Sequence, residues 1–311
     1  MESERCMGKY LLTRLLYVLP SLLGVLIICF FLTRLSGDPT HLFMPVDATD
    51  EALAAFRAKH GLDRSLPEQF WLFVYNALQG DFGNSLRFSV PAMNLVAERL
   101  PATLELAMAT LLIAVTIGIP LGVMAAYWRG RPIDTGIRYL AALGQSVPTF
   151  YWGIVSIIVL ALWMRLLPTG GRDGLTSLVL PATTLATTMM ALIIRVTRSS
   201  MLNVIEQDYI RTARAKGQTE FVVVVRHALG NSIIPVITVI ALQFGVLLGG
   251  VVVTETVFSW PGVGRLAIQA IYARDYPVVQ AVVLFFAVVF VFANLVADVL
   301  YSFVDPRVRL K

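Results

Sequence analysis

The sequence predicts an all-α protein that crosses a membrane several times, on three observations. Of its 311 residues, 57% are hydrophobic and 14% charged, against about 25% charge in a soluble domain. The apolar residues gather into six runs of about 20, each long enough to cross a hydrocarbon core of about 30 Å as a helix. Lys and Arg gather on one side of those runs, as they do in the cytoplasmic segments of multi-pass proteins.

The runs are roughly Leu15 to Thr33, Leu104 to Tyr127, Tyr139 to Met164, Leu178 to Val196, Ile233 to Val253 and Val278 to Phe303. Transmembrane β-strands would be shorter and would alternate in polarity. In lipid the backbone must satisfy its own polar groups, so the runs are read as helices. Residues 1–34 form an N-terminal segment and a first helix. Thr33-Arg34-Leu35 is a poor cleavage site, so that helix is expected to be a retained signal anchor. Residues 35–101 are mixed in charge and rich in turn signals, and are expected to form an external subdomain on the membrane. Two helices are expected there, Asp50 to His60 with Asp50 near the N-cap, and Pro67 to Leu78.

Residues 102–311 are expected to form a five-helix core. The second and third spans of the chain are joined by a basic loop, Trp128 to Arg138, and the third and fourth by an outer turn at Pro168 to Gly174. A long inner loop, 197–232, is expected to hold one helix, Asn203 to Lys216, stopped by Gly217. The apolar run Phe221 to Val225 that follows is too short to span and must be buried. In the outer segment Thr254 to Pro277, Trp260-Pro261-Gly262 reads as a turn with its indole at the membrane interface.

With the N-terminus inside, the inner segments hold fifteen of the 25 Lys and Arg, including Arg129, Arg131, Arg138, Arg195, Arg198 and Arg226. Both termini are therefore expected in the cytoplasm. The net charge of +5 then reports topology rather than nucleic-acid binding. Cys6 and Cys29 fall in different compartments and offer no disulfide framework. The chain has no phosphate loop, no H-E-x-x-H, no C-x-x-C and no G-x-S-x-G. His41, His60 and His227 lie apart, so catalysis and metal binding by this chain are not expected.

Ionisable residues within spans are the first functional suspects. Glu105 and Asp298 qualify, but both sit near span ends where capping, pairing or solvation explains them. Pro20, Pro120, Pro148, Pro181 and Pro235 either kink helices around a cavity or simply bend a packed bundle. Gly118-x-x-x-Gly122 and Gly245-x-x-x-Gly249 permit close helix approach. Asp208-Tyr209-Ile210-Arg211-Thr212-Ala213-Arg214-Ala215-Lys216-Gly217 combines small residues, cations and a terminal glycine. Ala213 and Ala215 would allow a partner close, and Arg211, Arg214 and Lys216 would offer ionic contacts. On spacing alone, a basic loop at anionic headgroups accounts for it slightly better.

That segment resembles the coupling loop of binding-protein-dependent ABC permeases in their peptide-importer form. Gly37-Asp38-Pro39, Gly80-Asp81-Phe82-Gly83, Ser146-Val147-Pro148-Thr149-Phe150, Phe258 to Arg265, Asp275-Tyr276-Pro277 and Asp305-Pro306-Arg307 resemble the same family, in the same order along the whole chain. The long segment after the first span is similar to the first, B-type, of the paired permeases of dipeptide, oligopeptide, glutathione and nickel systems. Two features depart from the wider superfamily: Arg211-Thr212-Ala213 stands where a Glu-Ala-Ala triplet begins, and Gly217 lies farther from Ile234-Pro235.

The resemblance implies the six-helix type I ABC importer permease fold, in a bacterial inner membrane, with an external subdomain between helices 1 and 2. It implies import of dipeptides or oligopeptides, with glutathione or nickel as alternatives. It implies no cofactor in this chain, ATP and Mg being bound by two cytoplasmic ATPase subunits. A second homologous permease, an external substrate-binding protein and membrane lipid complete the partners. Asp208, Tyr209, Arg211, Thr212, Ala213, Arg214, Ala215, Lys216 and Gly217 would couple to an ATPase. Pro148, Phe150, Gln243, Glu255, Trp260, Pro261, Gly262 and Asp298 are the pathway or gate candidates. From another class, a self-sufficient ion-coupled carrier or channel, or a scaffold that moves nothing, would need no ATPase.

Overall fold

The computed structural model describes residues 20–304 except 36, 39 and 46, and excepting the side chains of residues 41, 42, 248–250 and 296–304. The termini, Cys6, Asp305-Pro306-Arg307 and the first residues of the Leu15 to Thr33 run lie outside the described residues. Among the described residues the regular structure is helical, with one isolated antiparallel bridge between Asn84 and Pro91. The chain forms two compact units, residues 1–103 with 261–291, and residues 104–260 with 292–311.

The first unit holds α1 (Pro20–Leu35), α2 (Thr40–Phe43), α3 (Asp50–Lys59) and α4 (Leu66–Leu78), the start of α5 (Ala92–Tyr127), α12 (Val263–Tyr272) and most of α13 (Tyr276–Val304). Thr49 caps α3: its hydroxyl accepts from Ala52 N at 3.3 Å, so the cap falls one residue before Asp50, which instead puts its charge in the first turn. Ser65 and Glu68 form a capping box at the start of α4, with Pro67 in its first turn. Phe30 of α1 is fully buried, edge-on to Phe70 and stacked on Phe73 of α4. Asp38 accepts from Thr40 N and Oγ1 and from Arg57 Nε. Burial pushes its carboxyl up, but those bonds outweigh burial and hold it below the usual carboxylate range.

Within this unit, helices distant in sequence pack on one another. Ala92 and Val96 of α5 pack with Val263, Leu266 and Ala270 of α12 and with Val278, Ala281 and Val282 of α13. Thr103 Oγ1 accepts from Val263 N at 2.8 Å, satisfying an otherwise orphan donor at the start of α12. The sequence signalled neither α12 nor the early start of α5. The 36 residues of α5 span about 54 Å, far more than a bilayer core requires.

The second unit holds the rest of α5, then α6 (Pro132–Ser146), α7 (Thr149–Ser156) continuing as a π-helical stretch Ile157–Trp163, α8 (Leu175–Ile205), α9 (Asp208–Ala215), α10 (Glu220–Val222) running through a π-helical stretch Val223–Leu229 into α11 (Gly230–Val257), and the end of α13. The Gly118/Gly122 face of α5 meets α8 closely. A Cβ on Gly122 would lie 2.6 Å from Thr197 Cβ and 2.9 Å from Ile194 O, and one on Gly118 would lie 3.0 Å from Ile193 Cγ2. The side-chain surroundings of Gly249 lie outside the described residues. Ala114, Ala186, Met189, Ile193 and Val236 form the core between α5, α8 and α11.

Three expectations are corrected here. The third run is not one straight span: α6 and α7 meet at 102°. Pro148 has no N–H to continue α6 and forces Val147 into extended backbone, φ −94° and ψ 128°. The helix expected over Asn203 to Lys216 divides at Glu206 and Gln207, because Gln207 is extended, ψ 151°, and restarts the chain as α9. The 197–232 loop is mostly helix, with α8 reaching Ile205 and helical backbone resuming at Glu220. The Phe221 to Val225 run is therefore the base of the fifth span, with Val223 and Val224 buried and Phe221 76% exposed.

Candidate coupling interface

α9 is an eight-residue helix held by two apolar side chains and two well-formed ends. Ile210 and Ala213, three residues apart, share one face. Ile210 is fully buried and Ala213 nearly so, in a cluster with Ala126 of α5, Met201 of α8, and Val223, Val224 and Ala228 at the base of α11. At the C-terminus Gly217 takes φ +76°, its N–H donates to Arg214 O at 3.0 Å, and Gln218 N donates to Ala213 O at 3.4 Å. This is a Schellman turn, which an L side chain at Gly217 would strain.

Side chains tie the flanks of α9 down. Arg214 donates to Glu220 through Nε at 2.9 Å and Nη2 at 3.4 Å, pinning α9 to α10. Tyr209 Oη accepts from Asn231 Nδ2 at 3.0 Å. His227 Nε2 and Gln218 Oε1 lie 2.6 Å apart. Asp208, Arg211, Thr212, Ala215, Lys216 and Gly217 are exposed, and the Arg211–Asp208 pair at 3.6 Å lies open to solvent, where it contributes little. The two alanines thus divide: Ala213 seats α9 on its own bundle, whereas Ala215 faces out.

Behind α9, a buried charge fixes α8. Asp134, 1% exposed in the first turn of α6, accepts from Arg198 Nε at 2.7 Å and Nη2 at 2.9 Å, from Gly130 N at 2.9 Å, and faces Arg138 Nε at 3.3 Å. Arg129 Nη1 reaches Glu206 Oε1 at 2.5 Å just before α9 begins. Sequence reading singled out neither Asp134 nor Arg198 as a pair. The available signal was one acid among Arg129, Arg131 and Arg138.

The pathway candidates do not converge on one place. Pro148 and Phe150 are exposed at the α6–α7 break, and Gln243 is half-buried midway along α11. Glu255 lies twelve residues farther on, about 18 Å along the helix axis, and is fully buried. Trp260 is fully buried too, not at the interface. The chain reverses after α11 at Ser259, φ +53°, and Trp260 N donates back to Glu255 O at 2.8 Å, carrying the indole inward. Pro261 is half-buried and Gly262 buried. Gly170 fits beneath this turn because it lacks a side chain: a Cβ would lie 2.1 Å from Phe258 O. Asp298 lies on α13, its side chain outside the described residues. Glu105 is paired with Arg172, Nε to Oε2 at 2.8 Å and Nη2 at 2.7 Å. Among the described residues no group of three His, Cys, Asp or Glu is placed to hold a metal ion.

Long apolar helices that seat a short polar-faced helix, α9, define a multi-pass membrane protein. Comparison with known proteins gives the same class. The profile of the family described as "Binding-protein-dependent transport system inner membrane component" matches residues 118–310. The chain is 42% identical over 306 residues to the "Glutathione transport system permease protein GsiC" of Salmonella typhi, and equally to that of Escherichia coli K12, covering 98% of this chain and 100% of each relative. Among solved structures, an inward-facing form of the MetNI methionine ABC transporter superposes with a TM-score of 0.57 at 20% identity, over 68% of this chain and 97% of that one. An amino acid ABC transporter superposes at 0.51 and 16% identity. The chain belongs to the binding-protein-dependent family of inner-membrane ABC importer permeases, in its peptide and nickel branch. It is a multi-pass subunit without catalysis of its own. ATP is hydrolysed by a partner ATPase, and solute is presented by a substrate-binding protein.

Proposed function

We propose that this chain forms half of the translocation pathway for short peptides, paired with a second homologous permease over two ATPase subunits. The single observation that carries the coupling assignment is α9: anchored inward by Ile210 and Ala213, it leaves Asp208, Arg211, Thr212 and Ala215 free to meet a partner. A rigid short helix of this kind transmits displacement. When ATP draws the ATPases together, α9 moves and carries α8 and the base of α11 with it. ATP thereby biases the bundle between two states through contacts that differ between them. The charge asymmetry supports cytoplasmic termini, placing α9 on the ATPase side.

The relatives' printed substrate, glutathione, is itself a tripeptide, so a dipeptide or oligopeptide cargo and a glutathione cargo differ in linkage rather than in class. The test is uptake into proteoliposomes holding the full importer and its binding protein. ATP-dependent accumulation of labelled dipeptide or tripeptide is expected. Accumulation of glutathione alone would narrow the cargo, and accumulation driven by an ion gradient with this chain alone would reverse the reading in favour of a carrier.

A further inference from the structure

Helix α4 has two apolar faces, and its own unit covers only one of them. Phe70 and Phe73 pack on Phe30 of α1. Gln69 is buried on the same side, its Nε2 donating to Leu62 O at 3.3 Å and to Arg64 O at 2.8 Å. The opposite face carries Trp71, Tyr75 and Leu78, spaced as one helical stripe, with Leu72 beside them. Trp71 is 69% exposed, Tyr75 63%, Leu78 80% and Leu72 40%. By contrast, α3 of the same unit exposes Asp50, Glu51 and Lys59 with alanines between them. The bare apolar stripe therefore belongs to α4 in particular, and a stripe of this size marks a surface that something else covers.

Depth and continuity say what covers it. Phe30 and Phe31 lie two or three residues before Thr33, where the first apolar run ends, so they sit about 3 to 5 Å inside that end. Phe70 meets both, with ring centroids 5.3 Å and 6.3 Å away, which sets α4 level with the last turn of the span. Helices that lie in a membrane interface bury their apolar face by about 5 to 10 Å, a similar depth. The exposed surface of α1, with Ile28, Phe31 and Leu32, is that of a span facing lipid. Phe31 stacks on Phe70, and Phe70 meets Trp71 edge-on at 5.9 Å. The lipid-facing surface thus runs from α1 onto the stripe of α4 without a polar break. Trp and Tyr are also the residues that the interface favours. At the N-terminal end of the stripe a hollow of about 590 Å³ sets Arg64 and Glu68 beside Trp71 and Leu72. Charges of both signs next to apolar surface match the head and chains of a phospholipid.

We infer that α4 is an interfacial anchor, whose Trp71, Leu72, Tyr75 and Leu78 embed among the phospholipids of the outer leaflet. The cytoplasmic termini of the functional reading above make this leaflet the outer one. The packing of Phe70 and Phe73 on Phe30 then has a purpose beyond stability: it holds the helix at the height where its stripe meets lipid.

The test uses the full importer, freed of cysteine and reconstituted in vesicles of phosphatidylethanolamine and phosphatidylglycerol. Single spin labels are placed at Tyr75→Cys and Leu78→Cys on α4, and at Ala54→Cys and Ala58→Cys on α3. Oxygen, which concentrates in lipid, is expected to relax the α4 labels more than a water-soluble nickel chelate does, and the α3 labels should show the reverse order. Trp71→Glu with Leu72→Glu should abolish the oxygen preference at Leu78→Cys, whereas Trp71→Phe with Leu72→Met should keep it. A photo-reactive phenylalanine at position 75 is expected to capture phospholipid. Preference for the nickel chelate at positions 75 and 78, shielding there from both relaxants, or capture of the second permease or the binding protein would overturn the anchor. Neither readout needs ATP or cargo, so any of these results leaves the importer reading standing, and a failure of ATP-driven uptake would strike that reading without touching the anchor.

Discussion

Arg198 grips Asp134 with one edge of its guanidinium, Nε at 2.7 Å and Nη2 at 2.9 Å, across 64 residues of sequence. The carboxylate is buried and the guanidinium largely so. Removing one partner of such a pair strands the other, typically at about 3 to 5 kcal/mol. Arg198→Ala is therefore expected to lower the thermal stability of the detergent-solubilised chain strongly. Arg198→Lys keeps the charge but not the planar fork and should fall between. Equal melting temperatures for Arg198→Lys and the unaltered chain would show that the fork geometry contributes nothing.

The approach of α5 to α8 makes a second prediction with an internal control. At Gly122 a methyl group would meet Thr197 Cβ and Ile194 O well inside contact distance. Gly122→Ala should destabilise by about 1 to 3 kcal/mol through overpacking. Gly136, within α6, has nothing within 4 Å of its Cβ direction. There Ala should be neutral or stabilising by up to about 1 kcal/mol, since it restricts the unfolded chain and favours helix. Thermal melts of the two variants that moved together would refute the packing argument.

At the end of α9, Gly217 has open space around its Cβ direction but φ +76°. Gly217→Ala should cost about 1 kcal/mol from the backbone alone, loosening the Schellman turn without a clash. Gly217→Asn should cost less, because Asn tolerates this conformation. Gly217→Pro cannot adopt it at all and is expected to abolish uptake while membrane insertion is retained. Uptake by Gly217→Pro at normal membrane levels would remove the coupling role from α9.

Much of this architecture was legible in the chain, for reasons that also mark where legibility ended. Apolar runs are local, so the spans could be counted from Leu104 to Tyr127 or Ile233 to Val253. Polar helix ends are not: Arg195, Arg198 and Arg226 look like loop residues, yet α8 continues to Ile205 and helical backbone resumes at Glu220. Pro148 signalled a bend, but the 102° turn also needed Val147 extended and α7 packed on α8. Whether Trp260 is buried depends on tertiary folding, not on its own preference for an interface. The positions of α9 were legible as a motif. Its facing was settled only by where Ile210 finds an apolar cluster, which then also fixes Ala213 inward.

That facing gives the last prediction its register. In a chain otherwise free of cysteine, Ala215→Cys and Thr212→Cys lie on the exposed side of α9, and Ala213→Cys lies against Met201 and Val223 in its own cluster. A short bifunctional thiol reagent in native membranes should join positions 215 and 212 to the ATPase and leave position 213 unreactive. The physical reason is one turn of helix: residues two apart point about 200° from each other, so one alanine can face the bundle only if the other faces the partner. Adding ATP and vanadate should change the yield at 215 without exposing 213, because the helix moves as a body with its anchor. A crosslink at 213 as efficient as at 215 would mean that α9 leaves its seat on the bundle, and the rigid-body account of coupling would fail.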